Sequence, residues 1–485
     1  MKHTQFPDFI NKKNYKELFK QLSIDIQDPT YLNYLKMALN SLFEVNDEPD
    51  LRPSSLDITL TLKHLGVDAQ TLIAALLSDP RLRDSLDTLT VEEKFNKTIA
   101  NLVSHVNWLN TFKECTDVVS DIPKEAEALR RMLLATVVDV RAVLIKLAFR
   151  VQRLRGLKRE PAAIQQCIAQ ETMDIYTPLA NRLGIAGLKW EMEDLAFRYL
   201  DPQAYKTLAQ SMDDKRSARE VYISQFVQQL LSHTEQAGIK SKIYGRPKHL
   251  YSIHKKMQKK QLELQELADL LAVRLIVSNL SECYLALGIV HNLWQHLPHE
   301  FDDYIATPKD NGYQSIHTAV IGPDKQVVEI QIRTQEMHDF AEHGVAAHWR
   351  YKEGSKQDLA LEKSITTLRK LLENRDADDD SLLEEFKTEF FSDRVLVLTP
   401  KKEVIDLPKG STALDFAYFI HTEIGHHCKG AIVNVQRVPL SYPLKSGECV
   451  EILNDPESSP HLDWLNHRKN YVRNIKTKSR NRQWF

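Results

Sequence analysis

The stretch EFDDYIATPKDNGYQSIHTAVIGPDKQVVEIQIR, residues 300–333, decides the fold of the region around it. Its second half predicts two strands, SIHTAVI and QVVEIQIRT, joined by a hairpin turn at residues 322–325. The second strand alternates apolar and polar side chains, with Glu329, Gln331 and Arg333 on the polar face. That face either holds a metal, a base and a phosphate together or is the solvent-facing side of a half-buried hairpin.

A loop rich in hydrogen-bond donors precedes the hairpin. It contains Lys309, Asn311, Tyr313, Gln314 and His317. Glycine at position 312 gives the backbone freedom for a tight turn. An aromatic side chain among donors suits a nucleotide base and its phosphates, which favours the functional interpretation of the polar strand face.

The composition is that of an ordinary globular protein. With 485 residues the chain is long enough for two to four domains, and 42% hydrophobic and 27% charged residues are typical of such domains. A net charge of −2 argues against a nucleic-acid-binding polycation. No apolar run approaches the roughly 18 residues that a membrane span needs, and residues 1–13 lack the apolar core of a signal peptide. Five scattered cysteines fit reduced thiols better than disulfides or a zinc site. We therefore predict a cytoplasmic protein with no membrane partner.

Residues from about 30 to 200 predict an all-α domain, because segments such as AQTLIAALLS carry apolar residues at spacings of three and four. Gly66 and Gly184 stand where helices are expected to end. After residue 240 the period changes. The segment GRPKHLYSIHKKM predicts a turn and the start of a basic helix, whose N-terminus is either a phosphate-binding position or a solvated basic face. The next strand contains Arg274 in an apolar run, and a buried charge there needs a partner.

Four segments between residues 245 and 354 resemble, in order, the motifs of the (p)ppGpp synthetase domain of the RelA/SpoT family. They are GRPKHLYSIHKKM, ADLLAVRLIV, EFDDYIATPKDNGYQSIHTAV and VEIQIRTQEMHDFAEHGVAAHWRYKEG. The sequence has neither a Walker A pattern nor G-x-G-x-x-G. The resemblance implies a nucleotidyltransferase-like mixed sheet. It also implies transfer of pyrophosphate from ATP to the 3′-hydroxyl of GDP or GTP, with Mg²⁺ as cofactor and AMP as second product.

The resemblance also implies roles for single residues. Those expected at ATP are Arg246, Lys248, Ser252, Lys256 and Arg274. Asp269 and Glu329 match the acids that hold Mg²⁺, and Glu329 also matches the group that activates the acceptor hydroxyl. Tyr313 matches the aromatic residue on which guanine stacks. The other residues expected at GDP or GTP are Lys309, Asn311, Gln314, His317 and Gln331.

The acidic segment Glu300, Asp302 and Asp303 resembles the E-x-D-D form of dedicated RelA-type synthetases, which is associated with a preference for GDP. A solvated acidic loop is the alternative, and the sequence leaves the choice between GDP and GTP open. The helix that follows the hairpin carries His338, Glu342 and His348 without a zinc motif. We expect it to pack against the synthetase sheet.

The helical domain resembles the HD-type hydrolase domain of the same family, but the expected metal ligands are missing. Ser78 replaces the histidine of a His-Asp pair, Leu82 and Arg83 replace an acidic pair, and Phe149 replaces an aspartate. Asp79 alone cannot hold a catalytic metal. The resemblance therefore implies a pseudo-hydrolase, with the fold kept and the chemistry lost.

After a charged segment the chain resembles a TGS domain, a small β-grasp fold in which His421 matches a tRNA-contacting histidine; a helix-end histidine is the alternative. The predicted order is then a pseudo-hydrolase domain at 1–200, a synthetase domain at 201–354, a helical acidic linker at 355–392, a TGS domain at 393–455 and, at 456–485, a basic tail that begins a missing C-terminal region. The resemblance implies a monofunctional RelA-type synthetase truncated after the TGS domain. Uncharged tRNA and the ribosome are the partners expected of the full-length protein. A catalytically restrained fragment that senses tRNA or the ribosome through the TGS domain is the alternative function.

Overall fold

The computed structural model describes residues 15–45, 53–111, 138–214, 216–246, 248–261, 271–309, 311–344, 394–400, 404–408, 410–445, 447–466, 469–473, 475–482 and 484–485, with positions 129, 132, 136, 346 and 366. Asp269, His348 and, apart from Thr366, the predicted linker at 355–392 lie outside these residues. The chain forms two compact units, Met1–Arg375 and Asp376–Phe485, and each is described by itself.

The first part of unit one is helical, as predicted. Its helices are α1 (Tyr15–Ser23), α2 (Pro29–Glu44), α3 (Ser55–Leu65), α4 (Ala69–Leu77), α5 (Thr88–Lys94), α6 (Lys97–Asn110), α7 (Val140–Gly156), α8 (Ala162–Glu171), α9 (Thr177–Arg182), α10 (Ala186–Leu200), α11 (Pro202–Asp214) and α12 (Arg216–Gln236). The Ser54 hydroxyl caps the start of α3, and Gly66 ends it in the left-handed conformation. Gly184 has φ +72° and follows α9, so both predicted glycine positions are confirmed.

The helical core is built from the apolar stripes that the sequence spacing predicts. On α7, Leu144, Ala148, Val151 and Leu154 are fully buried and the helix packs against α3, α6 and α10. Burial of such a stripe, more than helix propensity, stabilises helices of this length.

The second part of unit one is a mixed sheet with the order β1-β2-β6-β5-β3, and β4 pairs with β5. Its strands are β1 (Lys242–Gly245), β2 (Leu271–Val277), β3 (Gln295–His296), β4 (Asp302–Asp303), β5 (Ile316–Ile321) and β6 (Val327–Thr334); its helices are α13 (Leu250–Lys260), α14 (Leu280–Leu293) and α15 (Gln335–His343). Strands β2 and β6 are parallel, whereas the other pairs are antiparallel. The predicted hairpin is the antiparallel pair β5–β6.

The two faces of the sheet have opposite chemistry. On β6, Val328, Ile330 and Ile332 are fully buried in a core that α12 and α14 cover. The polar face is not open to water either, because Gln331 is 3% and Arg333 1% exposed. The interpretation of this strand as a half-buried hairpin with a solvated polar side is therefore wrong for Gln331 and Arg333; α15 packs against β2 and β6, and its Glu342 contacts Arg333 on this face.

Unit two contains a small β-grasp-like domain. Its elements are β7 (Arg394–Leu398), β8 (Val404–Pro408), α16 (Ala413–Ile420), α17 (Thr422–His426), β9 (Cys428–Val433), β10 (Gln436–Val438), β11 (Val450–Asn454) and α18 (Ile475–Arg482). Strands β7 and β8 form one ribbon, and β9 lies between β10 and β11. A capping box of Thr412 and Asp415 starts α16.

Residues after position 455 pack against this domain. Trp464 and Val472 are buried with Leu414 and Tyr418 of α16, and Arg480 donates a 2.8 Å hydrogen bond to the Tyr418 carbonyl oxygen. The core of unit two therefore includes residues on both sides of the predicted boundary at 455.

The structure tests two predictions from the sequence, which concern the cysteines and membrane-spanning helices. Cys283, Cys428 and Cys449 are free thiols, whereas Cys167 is disulfide-bonded. The expectation of reduced thiols is thus wrong for Cys167. In the described part of the chain, no helix has the length and apolar character to cross a membrane.

Candidate functional site

The register of the sheet brings five polar side chains into one row across five strands. Tyr244 on β1 pairs with Arg274 on β2, and Arg274 pairs with Gln331 on β6. Gln331 pairs in turn with His317 on β5, and His317 with Asp302 on β4. Because residues that pair across neighbouring strands share a face, this row belongs to the polar face of the sheet. Arg274 and Gln331 in its middle are buried, whereas Tyr244 and Asp302 at its ends are exposed.

Glu329 lies two residues before Gln331 on the same face. Lys248 Nζ lies 2.6 Å from Glu329 Oε2, and Gln331 Nε2 donates a 2.9 Å hydrogen bond to Glu329 Oε1. His317 Nδ1 lies 3.9 Å from Oε1. Burial alone would raise the pKa of Glu329, but the charge and hydrogen bond of Lys248 outweigh it and hold the pKa below its ordinary value. Glu329 is therefore a carboxylate at neutral pH.

A cluster of buried cations occupies the other end of the face. Glu342 Oε1 on α15 lies 3.0 Å from Arg274 and 3.5 Å from Arg333. Burial and the charges of Arg274 and Arg246 lower the pKa of Arg333 to about 10. The sequence predicted packing of α15 on the sheet and a partner for Arg274, but it gave no signal that Glu342 is that partner.

Several buried polar atoms of this face have no hydrogen-bond partner among the described residues. They are Arg274 Nε, Arg333 Nε, Gln331 Oε1 and His338 Nδ1. A buried polar atom without a partner costs about 1–3 kcal/mol, so a fold that keeps several of them in one place is suited to a polar ligand. Such a concentration of donors and positive charge matches a polyphosphate.

Of the two acids that the resemblance implies at Mg²⁺, only Glu329 lies among the described residues. Glu329 is in place, but Asp269 lies in the undescribed range 262–270. Within the described ranges, no group of three or more His, Cys, Asp or Glu side chains is arranged to hold a metal. Carboxylate and amide oxygens are ligands that Mg²⁺ accepts, and the partnerless Gln331 Oε1 lies two residues from Glu329 on the same strand face. The chemistry of these donors fits Mg²⁺.

Helix α10 of the helical domain reaches the segment with the predicted ATP residues. Arg246 Cζ lies 4.3 Å from the centre of the Trp190 ring. Asp194, one turn further along α10, accepts a 2.9 Å hydrogen bond from the Tyr251 backbone N–H. The sequence predicted a phosphate-binding position at the N-terminus of α13. In the structure, the Asp194 carboxylate occupies that position. Trp190 and Asp194 were missed because only the tertiary fold brings α10 to this segment.

The remaining predicted ATP residues lie on α13. Ser252 is exposed, and Lys256 is half-buried with its Nζ 4.0 Å from Glu300 Oε2. The structure thus brings Arg246, Lys248, Arg274 and Glu329 to one face, with Ser252 and Lys256 on the adjacent helix.

The predicted acceptor loop presents Tyr313 beside other rings and a cation. The Tyr313 hydroxyl is 2.8 Å from His317 Nε2, and Lys309 Nζ lies 5.4 Å from the centre of the Tyr313 ring. Gly312 has φ +77°, as the predicted turn requires. The Asn311 side chain donates a 2.9 Å hydrogen bond to the Asn181 carbonyl oxygen of the helical domain and accepts one from the Tyr313 N–H. Gln314 is half-buried in the same loop.

Burial keeps His317 neutral. Its pKa is lowered to about 4, first by burial and then by the nearby cations Lys309, Arg246 and Arg333. A neutral imidazole can hydrogen-bond to the Tyr313 hydroxyl without adding charge to the site.

The acidic segment is only partly exposed. Asp303 accepts hydrogen bonds from the backbone N–H groups of Ile305 and Ala306 and from the Tyr284 hydroxyl, so it holds the chain at the edge of the sheet. Asp302 and Glu300 are exposed. In unit two, His421 is exposed at the start of α17 and its Nδ1 accepts from the Glu423 N–H.

The positions of the expected hydrolase ligands are filled by structural contacts. Asp79 is 4% exposed; it accepts hydrogen bonds from the Ser55 hydroxyl at 2.7 Å and from Arg81 Nε at 2.9 Å. Burial raises the pKa of Asp79, but the bonds from Arg81 and Ser55 outweigh it and lower the pKa overall. Phe149 packs under the Lys146 ammonium.

Comparison with known proteins gives matches in three regions of the chain. A family model described as the region found in RelA/SpoT proteins matches residues 245–356, an HD domain model matches 44–186, and a TGS domain model matches 395–454. The chain is 44% identical over 463 residues to a GTP pyrophosphokinase of Photobacterium angustum, covering 94% of this chain and 62% of that protein. It is 46% identical over 433 residues to a GTP pyrophosphokinase of Escherichia coli K12, covering 87% and 58%.

The chain is thus similar to proteins of the RelA/SpoT family in three separate regions and to GTP pyrophosphokinases over most of its own length. A relative from Synechocystis, named a probable guanosine-3′,5′-bis(diphosphate) 3′-pyrophosphohydrolase, is 42% identical over 431 residues, which cover 87% of this chain and 56% of that protein. The chain thus spans between 56% and 62% of the length of these three relatives.

Proposed function

We propose that this chain is a member of the RelA/SpoT family and a (p)ppGpp synthetase of the stringent response, which transfers pyrophosphate from ATP to the 3′-hydroxyl of GDP or GTP and releases AMP. The observation that carries the proposal is the polar sheet face, which Glu329 shares with the buried cations Arg274 and Arg333 and with several partnerless polar atoms. Relatives named GTP pyrophosphokinase, which match most of this chain, support it.

The cations bind and neutralise ATP in this proposal. Arg246 and Arg274 hold the adenine and the phosphates, and Lys248 with Ser252 and Lys256 of α13 donates along the triphosphate. Phosphoryl-type transfer depends mostly on positioning and on neutralising phosphate charge. A buried guanidinium supplies that charge without being deprotonated, since even the lowered pKa of Arg333, about 10, lies well above neutral pH.

The acceptor binds on the loop before β5. Its guanine stacks on Tyr313, whose ring orientation the hydrogen bond to His317 fixes. Lys309, Asn311, Gln314 and Gln331 lie around this position, with Asn311 acting on the loop through its bonds to Asn181 and Tyr313.

Glu329 accepts the proton of the attacking 3′-hydroxyl. The oxygen then bonds to the β-phosphorus of ATP, the bond from that phosphorus to the α-phosphate oxygen breaks, and AMP leaves with that oxygen. Mg²⁺, held by Glu329 with Asp269, would neutralise phosphate charge when bound. Lys248 keeps Glu329 ionised and so able to accept the proton.

The helical domain is proposed to be a pseudo-hydrolase, and the enzyme to be monofunctional. Asp79 is occupied by Arg81 and Ser55, and Ser78, Leu82 and Phe149 stand where the resemblance expects metal ligands. The exposed Glu300 and Asp302 are proposed to favour GDP, because carboxylates repel a triphosphate more than a diphosphate.

A second candidate function is a restrained fragment that senses uncharged tRNA or the ribosome through unit two. The exposed His421, with the exposed apolar side chains Phe419 and Ile420 just before it, favours a contact surface there.

A nucleotide assay separates the two candidates. The chain is incubated with ATP, GDP and Mg²⁺, with and without ribosomes and uncharged tRNA, and the products are separated by charge. AMP and ppGpp in equal amounts without ribosomes support the synthetase. Folded protein that gives no product in either condition contradicts it and leaves the binding function.

A further inference from the structure

Trp190 is the residue of the helical domain that lies against the ATP-site arginine of the synthetase domain. Its ring centre is 4.3 Å from Arg246 Cζ, within the distance of about 6 Å at which a cation and an aromatic face attract. In the described part of the chain, no hydrogen bond or ion pair joins the Arg246 guanidinium to another side chain. The Trp190 ring is therefore the main contact that fixes where this guanidinium lies.

Arg246 needs such a contact because of where it lies. The sheet fixes only its backbone, through the 2.7 Å hydrogen bond from its N–H to the Ala272 carbonyl oxygen. The side chain lies in the cation cluster, where burial and the charge of Arg274 oppose its own charge. A long flexible side chain under repulsion takes several orientations unless a neighbour selects one.

Helix α10 also holds the chain that follows Arg246. The His249 ring stacks on Trp190 with centres 5.1 Å apart, and His249 Nδ1 lies 3.0 Å from Asp194 Oδ2. Asp194 Oδ1 accepts from the Tyr251 N–H. Trp190 and Asp194 are four residues apart and so share one face of α10. The segment 246–251, which includes Lys248, is thus fixed at both ends by one helix face.

We propose that Trp190 is a positioning residue of the ATP site, which holds the Arg246 guanidinium where an adenine nucleotide binds. This inference rests on the proposed synthetase function, because that function assigns Arg246 to ATP. A cation–π contact is worth about 0.5–2 kcal/mol, so loss of the ring weakens binding of ATP by between about 2-fold and 30-fold. Binding of GDP does not involve Arg246 and is unchanged.

The test measures equilibrium binding of a non-hydrolysable ATP analogue and of GDP to the full chain by calorimetry. Trp190→Ala is expected to weaken the ATP analogue alone, and Trp190→Phe to restore most of the affinity because a ring remains. Trp108→Ala is the matched control, since Trp108 is 38% exposed on α6. A double-mutant cycle with Arg246→Ala distinguishes positioning of Arg246 from a purely structural role, because a structural role of Trp190 would weaken binding in the Arg246→Ala background as well. If Trp190 acts through Arg246, its removal has no further effect in that background.

Two outcomes overturn the inference. One is unchanged affinity for the ATP analogue in Trp190→Ala; the other is an equal loss for both nucleotides that persists in the Arg246→Ala background. The proposed function fails separately. If the wild-type chain binds the ATP analogue but forms no AMP from ATP, the proposed synthetase function is wrong. The double-mutant cycle still tests whether Trp190 acts through Arg246.

Discussion

Lys248 Nζ and Glu329 Oε2 lie 2.6 Å apart, although the two residues are 81 positions apart in the chain. The contact joins the segment before α13 to the middle of β6. It links a side chain proposed to bind ATP to the one proposed to accept the proton. Since both groups are shielded from water, the charge of each stabilises the other more than it would at the surface.

We predict that Glu329→Gln lowers the rate of AMP formation by at least 100-fold, the lower limit typical of an acid–base group. Glutamine has the size of glutamate but neither accepts the proton nor balances Lys248. The rate is measured under saturating ATP and GDP, with circular dichroism to check the fold. Asp324→Asn, at the exposed turn of the same hairpin, is the control and retains the wild-type rate. A loss smaller than tenfold in Glu329→Gln would remove its assigned role.

Local patterns in the sequence were enough for the β5–β6 hairpin and several helix ends, but not for the short strands β3 and β4. The alternation on β6 placed Glu329, Gln331 and Arg333 on one face, and Gly66 and Gly184 ended helices as expected, because both signals depend on neighbours a few residues away. The contacts that complete the site are different. Trp190, Asp194 and Glu342 reach it from helices whose own sequences show ordinary amphipathic patterns. The spacing of apolar residues within a helix does not determine which face of the sheet that helix packs against.

Glu342 is the carboxylate that two buried arginines share, and we predict that Glu342→Gln destabilises the protein by about 1–3 kcal/mol. The change keeps the shape of the side chain but leaves Arg274 and Arg333 without their anionic partner. Urea unfolding measures the free energy. Glu336→Gln on the exposed side of the same helix is the control and changes it by less than about 0.5 kcal/mol. Equal stability of the two variants would contradict a stabilising role of Glu342 between Arg274 and Arg333.

Asn311 connects the helical domain to Tyr313, so we predict that Asn311→Ala raises KM for GDP about fivefold and leaves KM for ATP unchanged. The substitution removes the side-chain hydrogen bonds to Asn181 and Tyr313, and a net loss of about 1 kcal/mol in GDP binding gives a change of this size. Steady-state rates with each nucleotide varied in turn measure it. Asn292→Ala, at an exposed position of α14, serves as control. A fall in kcat with KM for GDP unchanged would instead mean that Asn311 contacts the reacting groups.

The pH dependence of stability should include a contribution from His338. Burial and the charges of Arg333 and Arg274 lower its pKa from 6.5 to about 4. Between these values the unfolded chain binds a proton that the folded chain does not, so stability is lost as the pH falls through this window. We predict that the melting temperature falls less between pH 7.5 and pH 5.5 in His338→Gln than in the wild type. His299→Gln, at an exposed position, should follow the wild type, and so would His338→Gln if the buried imidazole had no such effect.

The backbones of two glycines, Gly184 of the helical domain and Gly344 at the end of α15, approach each other closely. A Cβ on Gly344 would lie 2.4 Å from the Gly184 carbonyl carbon and 2.4 Å from the Leu183 carbonyl oxygen, and its φ of +54° with ψ of −132° suits glycine alone. We therefore predict that Gly344→Ala destabilises the protein by about 2–4 kcal/mol.

Gly288→Ala on α14 is the matched control for this substitution. Its Cβ would meet no atom within 4 Å, so the change should stabilise the helix by about 0.5–1 kcal/mol. Urea unfolding measures the free energy of unfolding of both variants, and we expect the changes relative to the wild type to have opposite signs. Because the backbone contact at Gly344 is the same one that brings α15 and its Glu342 under the helical domain, a Gly344→Ala protein as stable as the wild type would mean that the two domains do not pack there.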